Sequence, residues 1–213
     1  GTAGVQAAHV VILGAGTVGL SAAKVAMGMG ARVTILDSNL FRLRQIDDLY
    51  GGRIQTLASN AFNIAAAVKE ADLLVGSVLI PGALTPKLVT EAMVKTMKKG
   101  SAIVDVAIDQ GGCIEVTAKH GATYHDNPTF MYEGIVCYSV GNMPGAVART
   151  STFTLTNATM PYMIDLANKG WKKACQDDKA LARGINTYDG KVYFKGVSDA
   201  LGYELHCTCD ILK

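Results

Sequence analysis

His9-Val10-Val11-Ile12-Leu13-Gly14-Ala15-Gly16-Thr17-Val18-Gly19 decides how the rest of the chain is read. Residues 9–13 are a short apolar, β-branched run that halts at a glycine, and residues 20–29 carry small and apolar side chains suited to a buried helix. The order is strand, tight turn, helix. Between strand and helix stands G-x-G-x-x-G, in which each glycine has its own reason. Gly14 permits the tight turn, Gly16 lets the backbone come close to a pyrophosphate, and Gly19 lets helix and strand pack closely. Thr17 and Val18 open the helix, where free N–H groups and the dipole favour an anion.

Outward from this stretch the beat repeats. Residues 32–36 read as a second strand ending at Asp37, followed by a helix over 40–50, a strand over 54–57 and a helix over 61–70. A strand over 73–78, a helix over 90–98 and a strand over 102–108 follow. Such alternation predicts an α/β fold, a Rossmann-type doubly wound parallel sheet. Beyond about Val140 the pattern changes. Asn142-Met143-Pro144-Gly145 is turn chemistry, and 151–169 read as a long helix interrupted by Pro161. The expected division is a dinucleotide-binding domain over 1–145 and, over 146–213, C-terminal helices belonging to a partial second domain. That remainder is too small to bury a core of its own.

Composition narrows the function. The chain has 213 residues, 49% hydrophobic and 18% charged, with 23 glycines, which excludes disorder and suits helices pressed onto a sheet. A formal charge of +2 offers no basic field for a phosphate backbone, so no nucleic-acid partner is expected. No uncharged run approaches the ~18 residues of a membrane span, and no signal peptide is seen, so no membrane partner is expected and a reducing cytoplasm is. The five cysteines form no CxxC pair and no ligand-spaced set with the four histidines, so no metal is expected. Cys207 and Cys209, spaced as on one face of a strand, read as ordinary thiols. The opening Gly1-Thr2-Ala3-Gly4, without Met, reads as a processed or partial product.

Asp37 lies 37 − 19 = 18 residues past the last glycine, close to the ~20 expected of a carboxylate on the adenosine ribose hydroxyls. It repels a 2′-phosphate and favours NAD over NADP as cofactor. Arg42 and Ser59 are adenosine-side candidates, each with a plain solvated reading beside it. Asp109, read at the end of the strand over 102–108 and before Gly111-Gly112, stands at the sheet edge where ligands bind and could exchange protons with a reacting amine or hydroxyl. Its bland alternative is a cap or turn residue. Asp105, inside that strand, reads as structural. Val78-Leu79-Ile80-Pro81-Gly82 serves equally as a structural turn or a cofactor wall. His120 and His125 read as solvated loop histidines.

With these residues in view, the chain resembles the alanine dehydrogenase and transhydrogenase family. The resemblance is carried by 10–19 and most specifically by Ala107-Ile108-Asp109-Gln110-Gly111-Gly112-Cys113, with Asn127-Pro128-Thr129-Phe130, Asn142-Met143-Pro144 and 150–162 in support. It implies NAD-dependent, reversible oxidative deamination of L-alanine to pyruvate and ammonium, with Asp109 in the active site. It implies that Val78, Leu79, Val106, Ala107, Ile108, Val140, Asn142 and Met143 line the rest of the cofactor, and that copies assemble as a homo-oligomer, a hexamer. Residues 116–123, with Lys119, depart from the arginine-containing stretch of the family. The substrate-domain segment that supplies the family's carboxylate-binding arginine, lysine and histidine lies outside these 213 residues, so the chain is expected to be the cofactor half and inactive alone. The alternative is a non-catalytic NAD-binding module or a transhydrogenase-type subunit, against which the acid at 109 argues.

Overall fold

The computed structural model describes residues 2–79 and 85–213. Two units form, Gly1–Met143 and Pro144–Lys213.

The first unit alternates as the hydrophobic pattern requires: β1 (His9–Leu13), α1 (Thr17–Gly28), β2 (Arg32–Asp37), α2 (Leu40–Tyr50), β3 (Ile54–Ala58), α3 (Ala61–Glu70) and β4 (Leu73–Gly76). It continues through α4 (Glu91–Val94), β5 (Ala102–Asp105), α5 (Glu115–His120), β6 (Thr129–Tyr132) and β7 (Ile135–Tyr138). The sheet order is β3-β2-β1-β4-β5-β7-β6, parallel except for β6. Every residue of β1 is buried, and alternate side chains serve opposite faces. Val10 and Ile12 pack with Ala23 of α1 and Leu43, Ile46 and Tyr50 of α2. Val11 and Leu13 pack with Ile64 and Val68 of α3, Val94 of α4 and Val116 of α5. A three-layer sandwich follows, with the chain reversing direction across the sheet between β1 and β4, where open α/β sheets bind ligands.

Helix starts follow local chemistry. Asn39, Asn60 and Thr90 accept from the backbone N–H of Arg42, Asn63 and Met93, capping α2, α3 and α4. Helix α1 begins at Gly16 without a side-chain cap. Far from the turn, Glu91 of α4 ties three elements together, accepting from Lys119 of α5 at 2.8 Å and from the Tyr132 hydroxyl of β6 at 2.6 Å and pairing with Lys95 at 2.9 Å.

Several expectations are corrected. The strand over 102–108 ends at Asp105, because the Asp105 side chain accepts from Ala107 N–H and starts a 3-10 turn over Val106–Gln110. The strand over 73–78 stops at Gly76, and the helix over 90–98 keeps its regular part at Glu91–Val94. The β6–β7 hairpin adds to the expected elements, turning at Glu133-Gly134 between two β-rich runs with φ of 49° and 80°.

The second unit holds α6 (Ala148–Asp177), α7 (Lys179–Ala182), the hairpin β8 (Thr187–Tyr188) and β9 (Lys191–Val192), and α8 (Lys195–Leu201). Pro161 does not interrupt α6; the break falls at Gly170, at φ 72° and ψ 157°. Pro161 removes a single amide donor, whereas Gly170 leaves the helical region outright. The hydroxyls of Thr154, Thr156 and Thr159 donate to carbonyls four residues back in the same helix. Ala174, Cys175 and Val192 are the buried apolar side chains among this unit's described residues. Cys207 and Cys209 are not ordinary thiols: a 3-10 turn over Thr208–Asp210, instead of a strand, brings their Cα atoms to 5.2 Å and the sulfurs are joined. Among the described residues no helix is long and apolar enough to cross a membrane.

Hydrogen bonds from Lys119, then Tyr132 and Lys95, hold the Glu91 carboxyl down at about 2, against an ordinary 4.5. A carboxyl depressed in the folded state stabilises above its ordinary value and loses that contribution as pH falls from 4.5 toward 2. Glu91→Gln should therefore melt earlier than the parent at neutral pH and together with it near the acid end of that window, as paired thermal unfolding across pH reads; an offset independent of pH would contradict this.

Candidate functional site

The glycine-rich turn sits at the carboxyl end of β1. Gly14 takes φ 97°, and a Cβ there would lie 2.9 Å from the Ser77 carbonyl oxygen. A Cβ on Gly19 would meet the Gly14 carbonyl oxygen at 1.9 Å, while one on Gly16 meets nothing within 4 Å. Two glycines thus serve close packing and the third leaves open space in front of the backbone. The N–H groups in the first turn of α1, from Thr17 and Val18, have no intrahelical acceptor and face no side-chain cap. An open backbone at an uncapped helix start fits the pyrophosphate of a dinucleotide.

Ser77, which no motif in the sequence marks, fastens this turn from just beyond β4 by donating to the carbonyls of Leu13 at 2.8 Å and Gly14 at 3.2 Å. Its signal was faint, a serine after a short strand.

Asp37, half-buried at the end of β2, accepts from Ala15 N–H at 2.7 Å and Asn39 N–H at 2.8 Å. A carboxylate has about four lone-pair sites, so two remain for ribose hydroxyls. Arg42 donates to the Ala15 carbonyl at 2.9 Å and to Gln45 at 3.2 Å. It is not merely a solvated arginine: it braces the turn with two of its five N–H donors and keeps the others for a ligand. Ser59 N–H donates to the Asp37 carbonyl at 2.9 Å, placing it beside Asp37 at the same edge.

Asp109 stands in the 3-10 turn after β5, exposed, with Asn142 N–H donating to its two carboxylate oxygens at 3.1 and 3.3 Å. Asn142 adopts φ 54°, and its carbonyl meets His125 Nε2 at 3.2 Å. His125 is therefore joined to the Asp109 surroundings, while His120 stacks on Phe130 with ring centroids 3.7 Å apart. Four residues before Asp109, the fully buried Asp105 carboxylate gathers N–H donors from Ala107, Cys113 and Ile114 and the Thr117 hydroxyl at 2.6 Å. Burial, with the Asp105 charge second, drives the Cys113 thiol far upward, so it stays protonated and inert.

Turn, β4 end and 3-10 turn thus follow three neighbouring strands at one edge. Strands spaced ~4.8 Å apart place Gly14 and the β5 end ~10 Å from one another, a span suited to an extended dinucleotide. Of the remaining residues expected to line a cofactor, half-buried Val78 and exposed Leu79 follow β4, while Ile80, Pro81 and Gly82 lie outside the described residues. Val106 is half-buried and Met143 likewise. The side chains of Ala107, Ile108 and Val140 are buried, which leaves their backbone as the part able to meet a ligand. Among the described residues no group of three or more His, Cys, Asp or Glu could hold a metal ion.

A family model described as "Alanine dehydrogenase/PNT, C-terminal domain" matches residues 1–195. The chain is 93% identical over 217 residues to an alanine dehydrogenase of Bilophila wadsworthia, covering all of this chain and 58% of that protein. It is 58% identical over 200 residues to an alanine dehydrogenase of Methanococcus maripaludis, covering 94% of this chain and 53% of that protein. The chain thus spans a little over half the length of the curated relatives it matches. A solved L-alanine dehydrogenase superposes with TM-score 0.85 at 47% identity, over 95% of this chain and 55% of that one. A transhydrogenase from Sinorhizobium meliloti superposes with TM-score 0.63 at 30% identity, over 71% of this chain and 44% of that one.

The glycines invite a paired test. Gly19→Ala forces the turn apart and should destabilise the unit by about 2 kcal/mol, the scale of overpacking. Gly16→Ala, with open space around its Cβ, should unfold like the parent in urea yet bind NADH at least tenfold more weakly by calorimetry, about 1.4 kcal/mol. Equal NADH affinity would remove the turn from the binding site.

Proposed function

The chain belongs to the alanine dehydrogenase/PNT family, and from that premise we propose that it is the NAD-binding part of an enzyme that interconverts L-alanine with pyruvate and ammonium. The observation that carries this reading is the exposed carboxylate of Asp109, held by Asn142 N–H at the same sheet edge as the open glycine turn. NAD would supply hydride acceptance and return. In this reading Gly14, Gly16, Thr17, Val18 and Gly19 hold the pyrophosphate, and Asp37 with Ser59 the adenosine ribose. Arg42 acts on that end by bracing Ala15. Val78, Leu79, Asn142, Met143 and the backbone of 106–108 and 140 wall the remainder.

Asp109 holds or releases a proton for the reacting amine or hydroxyl. An exposed acid can trade protons with water between turnovers, which a buried one such as Asp105 cannot. The cofactor domain corresponds to 1–145 and the C-terminal part of the substrate domain to 146–213. The groups that bind the pyruvate carboxylate belong to a segment beyond these residues. We place the enzyme in the cytoplasm as a homo-oligomer, hexameric as the family resemblance implies.

In the full-length protein, NADH oxidation should require pyruvate and ammonium together. Binding of NADH with no turnover on either substrate pair would favour a module that only binds the nucleotide. Asp109→Asn should leave NADH affinity within about twofold while turnover drops by ~10²-fold, the scale of lost acid–base help; full activity would remove Asp109 from the reaction. Asp37→Ala should weaken NADH and narrow its advantage over NADPH in calorimetric titration. An unchanged preference would count against the ribose contact.

A further inference from the structure

Asp109 sits on a turn that is gripped from two sides. From within, the Asp105 carboxylate collects the N–H groups of Ala107, Cys113 and Ile114. From outside, residues 85–89 run along residues 110–115 as a strap. Thr85 N–H donates to the Gln110 carbonyl at 3.1 Å, Leu88 N–H to Cys113 at 2.9 Å, and Glu115 N–H returns to Val89 at 2.9 Å. At the centre of the strap, the Lys87 ammonium donates to the carbonyls of both Gly111 and Gly112, the latter at 2.7 Å.

These two glycines have φ of 87° and 75°. Their own N–H groups close the turn onto the carbonyls of Ile108 at 2.9 Å and Ala107 at 3.0 Å, enclosing the backbone of Asp109 and Gln110 between them. Gly112 cannot be replaced by a stiffer residue, since a Cβ there would press on the Asp105 carboxylate at 2.7 Å. Two flexible residues therefore follow directly on the turn that carries the acid, and the hold on their carbonyls comes from a side chain of another segment. An ammonium has three donors and no acceptor, so it can hold two carbonyl dipoles at once, with charge-assisted strength.

We propose that Lys87 is a positioning residue for the reaction: by binding the carbonyls of Gly111 and Gly112 it fixes the turn, and with it the direction of the Asp109 carboxylate. This rests on the reading of Asp109 given above. Because Lys87 is exposed, its loss leaves the core packing intact and acts on the turn.

The test is a cycle in the full-length protein: Lys87→Met, Lys87→Arg, Asp109→Asn and the double variant Lys87→Met with Asp109→Asn. Lys87→Met should speed amide exchange at Gly111 and Gly112 about tenfold, the scale of one lost hydrogen bond to a charged group. It should also lower kcat about tenfold with NADH affinity within about twofold. Lys87→Arg should recover most of both. On the Asp109→Asn background, Lys87→Met should cost nothing further, since the two act through one carboxylate. Unchanged exchange in Lys87→Met overturns the inference, as does an equal kcat loss on both backgrounds. The exchange readout is independent of turnover. An inactive parent enzyme would sink the proposed activity, whereas unaltered exchange would sink the role of Lys87.

Discussion

Backbone meets backbone where β1 and β4 end, with no room for a carbon atom between them. Gly14 faces the Ser77 carbonyl, Gly19 presses on Gly14, and the Ser77 hydroxyl ties both layers to the last carbonyls of β1. The start of α1 is thereby held against the sheet. Its unpaired N–H groups are aimed over the place where the strand order reverses, and the sheet's two halves leave a crevice at that edge. Were the approach looser by the width of a methyl group, α1 would move away from β1, and Asp37 and Arg42 would lose Ala15, to which each is bonded.

One strand further along, two carboxylates four residues apart show how burial divides labour. Asp105 has no contact with solvent and is surrounded by donors, so it organises backbone, and its charge adds to the burial that keeps Cys113 in its thiol form. Asp109 lies outside, with a single backbone N–H and open water, and retains capacity to accept or donate. The same residue type is thus enclosed by backbone donors in one place and open to solvent in the other. What separates them is the 3-10 turn that Asp105 itself nucleates through Ala107.

Legibility in the sequence followed the range of the interactions. Helices α2 and α3 could be read to the residue because their caps, Asn39 and Asn60, are local and their apolar faces regular. The glycine turn was legible because a tight turn, an open approach and a close packing each demand the same residue type at fixed spacing. The end of β5 was not: Val106, Ala107 and Ile108 are as apolar as the strand before them, and only the buried Asp105 side chain, acting on residues up to Thr117, breaks the run. Ser77 and Lys87 escaped for a related reason. Their partners lie 64 and 24 residues away or thereabouts, and nothing in a serine or lysine announces a distant carbonyl. Cys207 and Cys209 were misread because spacing two suits a strand face as well as a tight turn.

Helix α6 is counted polar by composition, yet its threonines behave otherwise. Thr154, Thr156 and Thr159 each donate their hydroxyl proton to a carbonyl of the preceding turn, which leaves a methyl group as the part least engaged with the backbone. To a solvent probe these positions are alcohols, yet the one donor proton of each is already engaged within the helix. Moving these side chains out of water would strand no hydroxyl donor, so their desolvation costs less than that of a free alcohol.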